Sequence, residues 1–77
     1  MNYPDGSKVM TGDRLKLWED CYGTVVCSID DGQYTAEYPE EHWSYLRSGV
    51  LIDSNKTGLI HYTELEDSFE LIERKSN

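Results

Sequence analysis

The apolar stretches of this chain are short, and turn residues interrupt each of them. Tyr3-Pro4-Asp5-Gly6, Thr11-Gly12-Asp13, Asp30-Asp31-Gly32, Ser48-Gly49 and Asp53 to Gly58 punctuate the sequence at close intervals. This pattern excludes long helices and predicts a small β protein. Residues 14–18 alternate, with Leu15 and Leu17 on one face and Arg14, Lys16 and Trp18 on the other, which predicts a strand with one buried face. Residues 19–22 read as a loop closed by Gly23. The β-branched run from Thr24 to Ile29 reads as the strongest strand. Val50–Ile52 and Leu59–Tyr62 read as a hairpin, and Phe69, Leu71 and Ile72 as a fifth strand. Between them, Pro39 can open a helical turn, with Glu40 and Glu41 at its positive end, so residues 39–46 are expected to be helical.

With 77 residues the chain makes one domain. A domain of this size buries only about 60% of the surface its unfolded chain exposes, so the core is small. Aromatics form 12% of the chain, which disordered sequences lack. Five short strands with one helical insertion suggest a mainly β fold that closes into a small curled barrel over residues 1–77. Residues 1–8 and 74–77 are expected to fray. The expected core is Leu15, Leu17, Val25, Cys27, Ile29, Val50, Ile52, Ile60 and Leu71.

The net charge is −8. No Lys or Arg lies between Lys16 and Arg47, an interval that holds Glu19, Asp20, Asp30, Asp31, Glu37, Glu40 and Glu41. A second acidic set is Glu64, Glu66, Asp67, Glu70 and Glu73. Nucleic acid and anionic membranes need cations and are poor partners for such a surface. A basic protein is a good one. No apolar leader and no bilayer-length apolar run is visible, so a soluble, cytoplasmic protein is expected. Cys21 and Cys27, the only cysteines, read as reduced and structural.

No complete catalytic constellation is visible, and no enzyme activity is expected. A thiol paired with His42 or His61 has no orienting third group. The pairs Asp30-Asp31 and Glu40-Glu41 are explained by a turn and a helix start. Asp53-x-Asn55-x-Thr57-Gly58 matches the first half of a calcium loop, with Glu64 at its twelfth position. The strand-like flanks disfavour that reading, and no metal or other cofactor is expected. His61 reads as a satisfied strand histidine.

The aromatics exceed what a small core can hold. Tyr34, Tyr38, Trp43 and Tyr45 fall in the same interval as Asp30, Asp31, Glu37, Glu40 and Glu41, and these nine residues are the candidate partner-binding face. Acids interleaved with rings suit Lys or Arg side chains through ion pairs and cation–π contact. Trp43 has the competing role of a lid over one open end of the barrel, whereas Tyr34, Tyr38 and Tyr45 are expected to be exposed.

Val9-x-x-Gly12-Asp13-Arg14-Leu15-x-Leu17, followed by Gly23-Thr24-Val25-Val26, resembles the opening of SH3-like barrels of the KOW type. There a Gly-Asp turn enters the first strand and a glycine begins the second. The resemblance implies a five-stranded SH3-like barrel. Size and acidity also resemble small bacterial immunity proteins that neutralise toxins. That likeness implies a non-catalytic inhibitor of a basic toxin. A Tudor- or SH3-like module reading a basic or proline-rich peptide is the alternative. A KOW-like nucleic-acid-associated module is a third reading, which the charge opposes.

Overall fold

The computed structural model of the chain describes residues 1–65 and 69–74. Glu66 and Asp67 of the expected acidic loop, and the tail from 75 to 77, lie outside the described residues. The strands are β1 (Asp13–Trp18), β2 (Cys21–Ser28), β3 (Val50–Ser54), β4 (Gly58–Tyr62) and β5 (Glu70–Arg74). They form one antiparallel sheet in the order β4-β3-β2-β1-β5. The fold is mainly β, and the sheet is open between β4 and β5. A helical turn α1 (Glu40–Trp43) and a 3-10 turn (Ser44–Leu46) fill the 39–46 segment as expected. A second 3-10 turn covers Ile29–Asp31 and ends at Gly32.

The expected loop at 19–22 is shorter than the sequence implies. Asp20 takes a left-handed conformation (φ 61°), and Cys21 and Tyr22 already pair with β1. Asp has a short polar side chain that tolerates this region, so a tight connection is possible without glycine. Gly23 therefore stands inside β2 rather than in a loop. Its role is space: a Cβ there would meet Ile52 Cγ2 at 2.5 Å and Leu17 Cδ1 at 3.2 Å.

The main core lies on one face of the sheet. It contains Tyr3, Val9, Leu15, Leu17, Cys21, Val25, Val50, Ile52 and Phe69, with Met1, Tyr62, Leu65 and Leu71 against it. Tyr62 meets Phe69 edge-to-face at 5.0 Å, joining the end of β4 to the start of β5. The other face carries a smaller cluster, Cys27, Ile29 and Leu51, beneath Val26, Tyr34, Tyr38, Trp43 and Leu46. The helical insertion thus caps an outer sheet face; it does not plug an end of the main core.

A β-bulge divides these two clusters. Val25 pairs with Ile52, but Cys27, not Val26, pairs with Leu51. The extra residue reverses the side-chain parity, so Cys27 and Ile29 leave the face of Val25 and join that of Leu51. This corrects the single-core expectation. Ile60 and Leu71 are half-buried, while Tyr3, Val9, Cys21, Leu51 and Phe69 join the buried set.

The chain start is packed, not frayed. Asn2 bridges Lys8, the Tyr3 N–H donates to the Ser7 carbonyl, and the Tyr3 ring is buried. The Tyr3 hydroxyl donates to Asp13 Oδ2 at 2.6 Å, and the Met10 N–H donates to the same oxygen at 2.9 Å. Arg74 closes the arrangement from the other terminus. Its Nε reaches Asp13 Oδ1 at 3.0 Å, and its Nη2 donates to the Lys8 carbonyl at 2.7 Å. The expected fraying of Arg74 is corrected by the same bonds. Asp13 is wholly buried, and these donors are what make a buried carboxylate tolerable.

Candidate functional site

Residues 33–47 leave the sheet after β2 and return before β3. The Ser28 and Gln33 backbones pair with each other in both directions, so the excursion starts from a closed bridge. Thr35 Oγ1 donates to the Val26 carbonyl at 3.0 Å, and the Tyr38 N–H closes a turn onto the Thr35 carbonyl. Cys27 Sγ donates to the Tyr38 carbonyl at 3.3 Å. Burial pushes this thiol above its usual range, which keeps it a protonated donor. Both cysteines are free and buried.

From this platform the rings form a ladder. Tyr38 and Trp43 lie 5.9 Å apart, tilted by 47°. Trp43 and Tyr45 lie 6.3 Å apart and are stacked at 25°. Tyr45 is 69% exposed, as expected. Tyr34, Tyr38 and Trp43 are half-buried against Cys27, Ile29 and Leu51. For Tyr34 and Tyr38 this corrects the expectation of exposure: the bulge moved apolar side chains to the outer face, and these rings cover them. Desolvation, followed by the negative charge of Glu40, pushes the Tyr34 hydroxyl above its usual range.

The acids of the candidate face divide into two groups. Asp30 and Asp31 have local partners. Asp30 Oδ1 accepts the Gly49 N–H at 2.9 Å. Asp31 accepts the Ser28 hydroxyl at 3.0 Å and pairs with Lys8 at 3.2 Å and the N-terminal ammonium at 3.7 Å. Burial pushes the Asp31 carboxyl up, but Ser28, Lys8 and the N-terminus outweigh it and leave it below the usual range. Glu37, Glu40 and Glu41 are exposed and, among the described residues, have no ion pair. The surface that remains is Glu37, Glu40 and Glu41 with the Tyr38–Trp43–Tyr45 ladder. Beside it runs an open groove of ≈ 370 Å³ lined by Gly12, Val26, Thr35, Ala36, Glu37 and Tyr38. Nothing in the residue pattern signals this groove, because its β2 wall and its insertion wall are brought together by tertiary contacts, the Thr35–Val26 and Cys27–Tyr38 bonds among them.

Other candidates are placed elsewhere. The Asp53–Gly58 segment joins β3 to β4, so strands flank it where an EF-hand has helices. Asn55 Oδ1 accepts the Tyr22 N–H, and the Ser54 and Thr57 hydroxyls bond each other. Among the described residues no group of three or more His, Cys, Asp or Glu side chains converges on a metal-sized site. His61 is half-buried, its Nε2 at 2.8 Å from the Ser48 carbonyl, and His42 is exposed. Among the described residues no helix is long and apolar enough to cross a membrane.

No protein-family model, curated protein or solved structure matches this chain.

Proposed function

We propose that this chain is a non-catalytic protein-binding domain, an inhibitor of the immunity-protein type that covers the basic surface of a toxin. The observation that carries the reading is Glu37, Glu40 and Glu41, exposed and without an ion pair among the described residues, beside a partly exposed Tyr38–Trp43–Tyr45 ladder. Aromatic anchors supply contact area at low entropy cost, and unpaired carboxylates raise the encounter rate with a cationic partner. The segment stands on a rigid sheet that does not need it for pairing, a common place for binding residues. The SH3-like barrel reading belongs to this proposal. It is supported by the strand order, in which β1 pairs with both β2 and β5, and by the Tyr62–Phe69 contact that draws the sheet ends together.

The test is affinity capture at low and at high salt, then titration of the captured protein with purified chain. A single basic protein, held at low salt and released at high salt, supports the reading. Glu40→Lys with Glu41→Lys should slow association, and Tyr45→Ala should speed dissociation. Unchanged binding by folded variants of both kinds would refute this face. The groove beside Tyr38 favours a second reading, a module that takes an extended basic or proline-rich peptide. Binding of short peptides with the affinity of the folded partner would favour it over the inhibitor.

A further inference from the structure

The insertion covers the outer face of the sheet only beyond the bulge, over Cys27, Ile29 and Leu51. Toward the β1–β2 turn, the same face carries a row of side chains that crosses four strands. Thr24 pairs with Arg14 on one side and with Asp53 on the other, and Arg14 pairs in turn with Glu73. Arg14, Asp53 and Glu73 are exposed. The groove beside Tyr38 continues into this row. Its ≈ 370 Å³ hollow shares Gly12 and Thr24 with a second hollow of ≈ 360 Å³. The second shares Arg14 and Thr24 with a third of ≈ 150 Å³. Together they make one trough along the outer face of β2, from Val26 to Tyr22. Four steps of a β-strand give it a length of about 13 Å.

We infer that this trough takes an extended peptide segment of a partner, with a cation at each end and none between. The inference rests on the reading of the groove as a peptide site, and not on the aromatic ladder. Charge along the trough selects the occupant. Each hollow has one carboxylate on its wall: Glu37 from the insertion, then Glu73 from β5, then Asp53 from β3. Arg14 is the one cation among the lining residues. None of these four makes an ion pair among the described residues. In the row across the sheet Arg14 stands between Thr24 and Glu73, so an occupant over Thr24 meets the cation before the β5 carboxylate. Glu37 and Asp53 have no such cation in front of them and are left to attract. A cation at the centre of the occupant would oppose Arg14, and repulsion of this kind is a usual source of discrimination between ligands.

The experiment is an NMR titration of the isotope-labelled full chain with two end-blocked pentapeptides, Lys-Ala-Ala-Ala-Lys and Lys-Ala-Lys-Ala-Lys. When extended, each spans about 13 Å and places its lysines on one face. The expected dissociation constant for Lys-Ala-Ala-Ala-Lys is about 0.1–1 mM, as suits two exposed ion pairs. Its binding should move the amide signals of Gly12, Thr24 and Asn55 together with those of Thr35 and Tyr38. The three-lysine peptide, despite its higher charge, should bind no more tightly. Glu37→Gln and Asp53→Asn should each weaken Lys-Ala-Ala-Ala-Lys about two- to fivefold. Arg14→Gln should make the three-lysine peptide the tighter ligand by about threefold or more. All three positions are exposed, and circular dichroism verifies that each variant is folded. In the parent chain, affinity that simply follows peptide charge overturns the inference. So do signal changes confined to Thr35–Tyr38, which would leave a shorter peptide groove standing. If no signal moves, the inference and the peptide-groove reading fall together, while the inhibitor reading keeps its own test through Glu40, Glu41 and Tyr45.

Discussion

Replacing Asp13 by alanine should destabilise the fold more than any exposed substitution in the chain. The carboxylate is wholly buried and accepts from the Tyr3 hydroxyl, the Met10 N–H and two nitrogens of Arg74. Its removal strands the Tyr3 hydroxyl, whose residue is only 4% exposed, and a backbone N–H at the neck of the N-terminal hairpin. A buried donor left without an acceptor costs about 1–3 kcal/mol. Arg74 is 39% exposed and can return to water, so the full penalty for breaking a buried ion pair does not apply. The expected loss is about 3–5 kcal/mol, against about 4–11 kcal/mol of total stability for a domain of this length. In urea, with a slope of about 1–1.5 kcal/mol/M, the midpoint should fall by about 2–5 M. Tryptophan fluorescence reports the transition through Trp18 and Trp43. Tyr3→Phe and Arg74→Ala should each cost less than Asp13→Ala, because each leaves the carboxylate with other donors. A midpoint shift under about 0.5 M for Asp13→Ala would show that the buried carboxylate does not hold the termini, and would refute this reasoning.

Ile52→Ala should cost about 2–4 kcal/mol by leaving a cavity in the main core, whereas Ile60→Ala, at a half-buried site, should cost clearly less; thermal denaturation separates them. Gly49 has φ 91°, and a Cβ there would collide with the Tyr62 carbonyl, so Gly49→Ala should cost about 2 kcal/mol or more in the same assay. Asp31 has a lowered folded-state pKa, so its contribution is complete above its unfolded value of about 3.9 and is lost as the pH falls through the folded value. The Tyr3 hydroxyl is raised by burial and then by its bond to Asp13, so its contribution is complete below about pH 10 and is lost as the pH rises. Urea midpoints measured across pH should therefore fall at both ends, with Asp31→Asn flattening the acid limb and Tyr3→Phe the alkaline one.

The sequence alone carries the elements that depend on neighbours in the chain. Alternation at Leu15 and Leu17 marked the inner face of β1, and the run Val50–Ile52 marked β3. Pro39 followed by two glutamates marked the start of α1 to within a residue. It also determined the acidic interval and its rings, because composition is a local property. Which side of the sheet those rings cover follows from the strand pairing. A bulge at Val26 is one extra residue against a partner far along the chain, and period-two reading has no term for it. That residue moved Cys27 and Ile29 to the outer face, gave Tyr34, Tyr38 and Trp43 something to cover, and left Tyr45 as the most exposed ring of the ladder. The partners of the acids were equally hidden. Asp30 and Asp31 found Gly49, Ser28, Lys8 and the N-terminus, while Glu37, Glu40 and Glu41 found none among the described residues. Asp13, which reads as a turn residue, became the buried joint between two termini because β1 sits between β2 and β5 and brings Arg74 to it. Charge is fixed residue by residue along the chain, but its neutralisation depends on which distant cation the fold carries within reach.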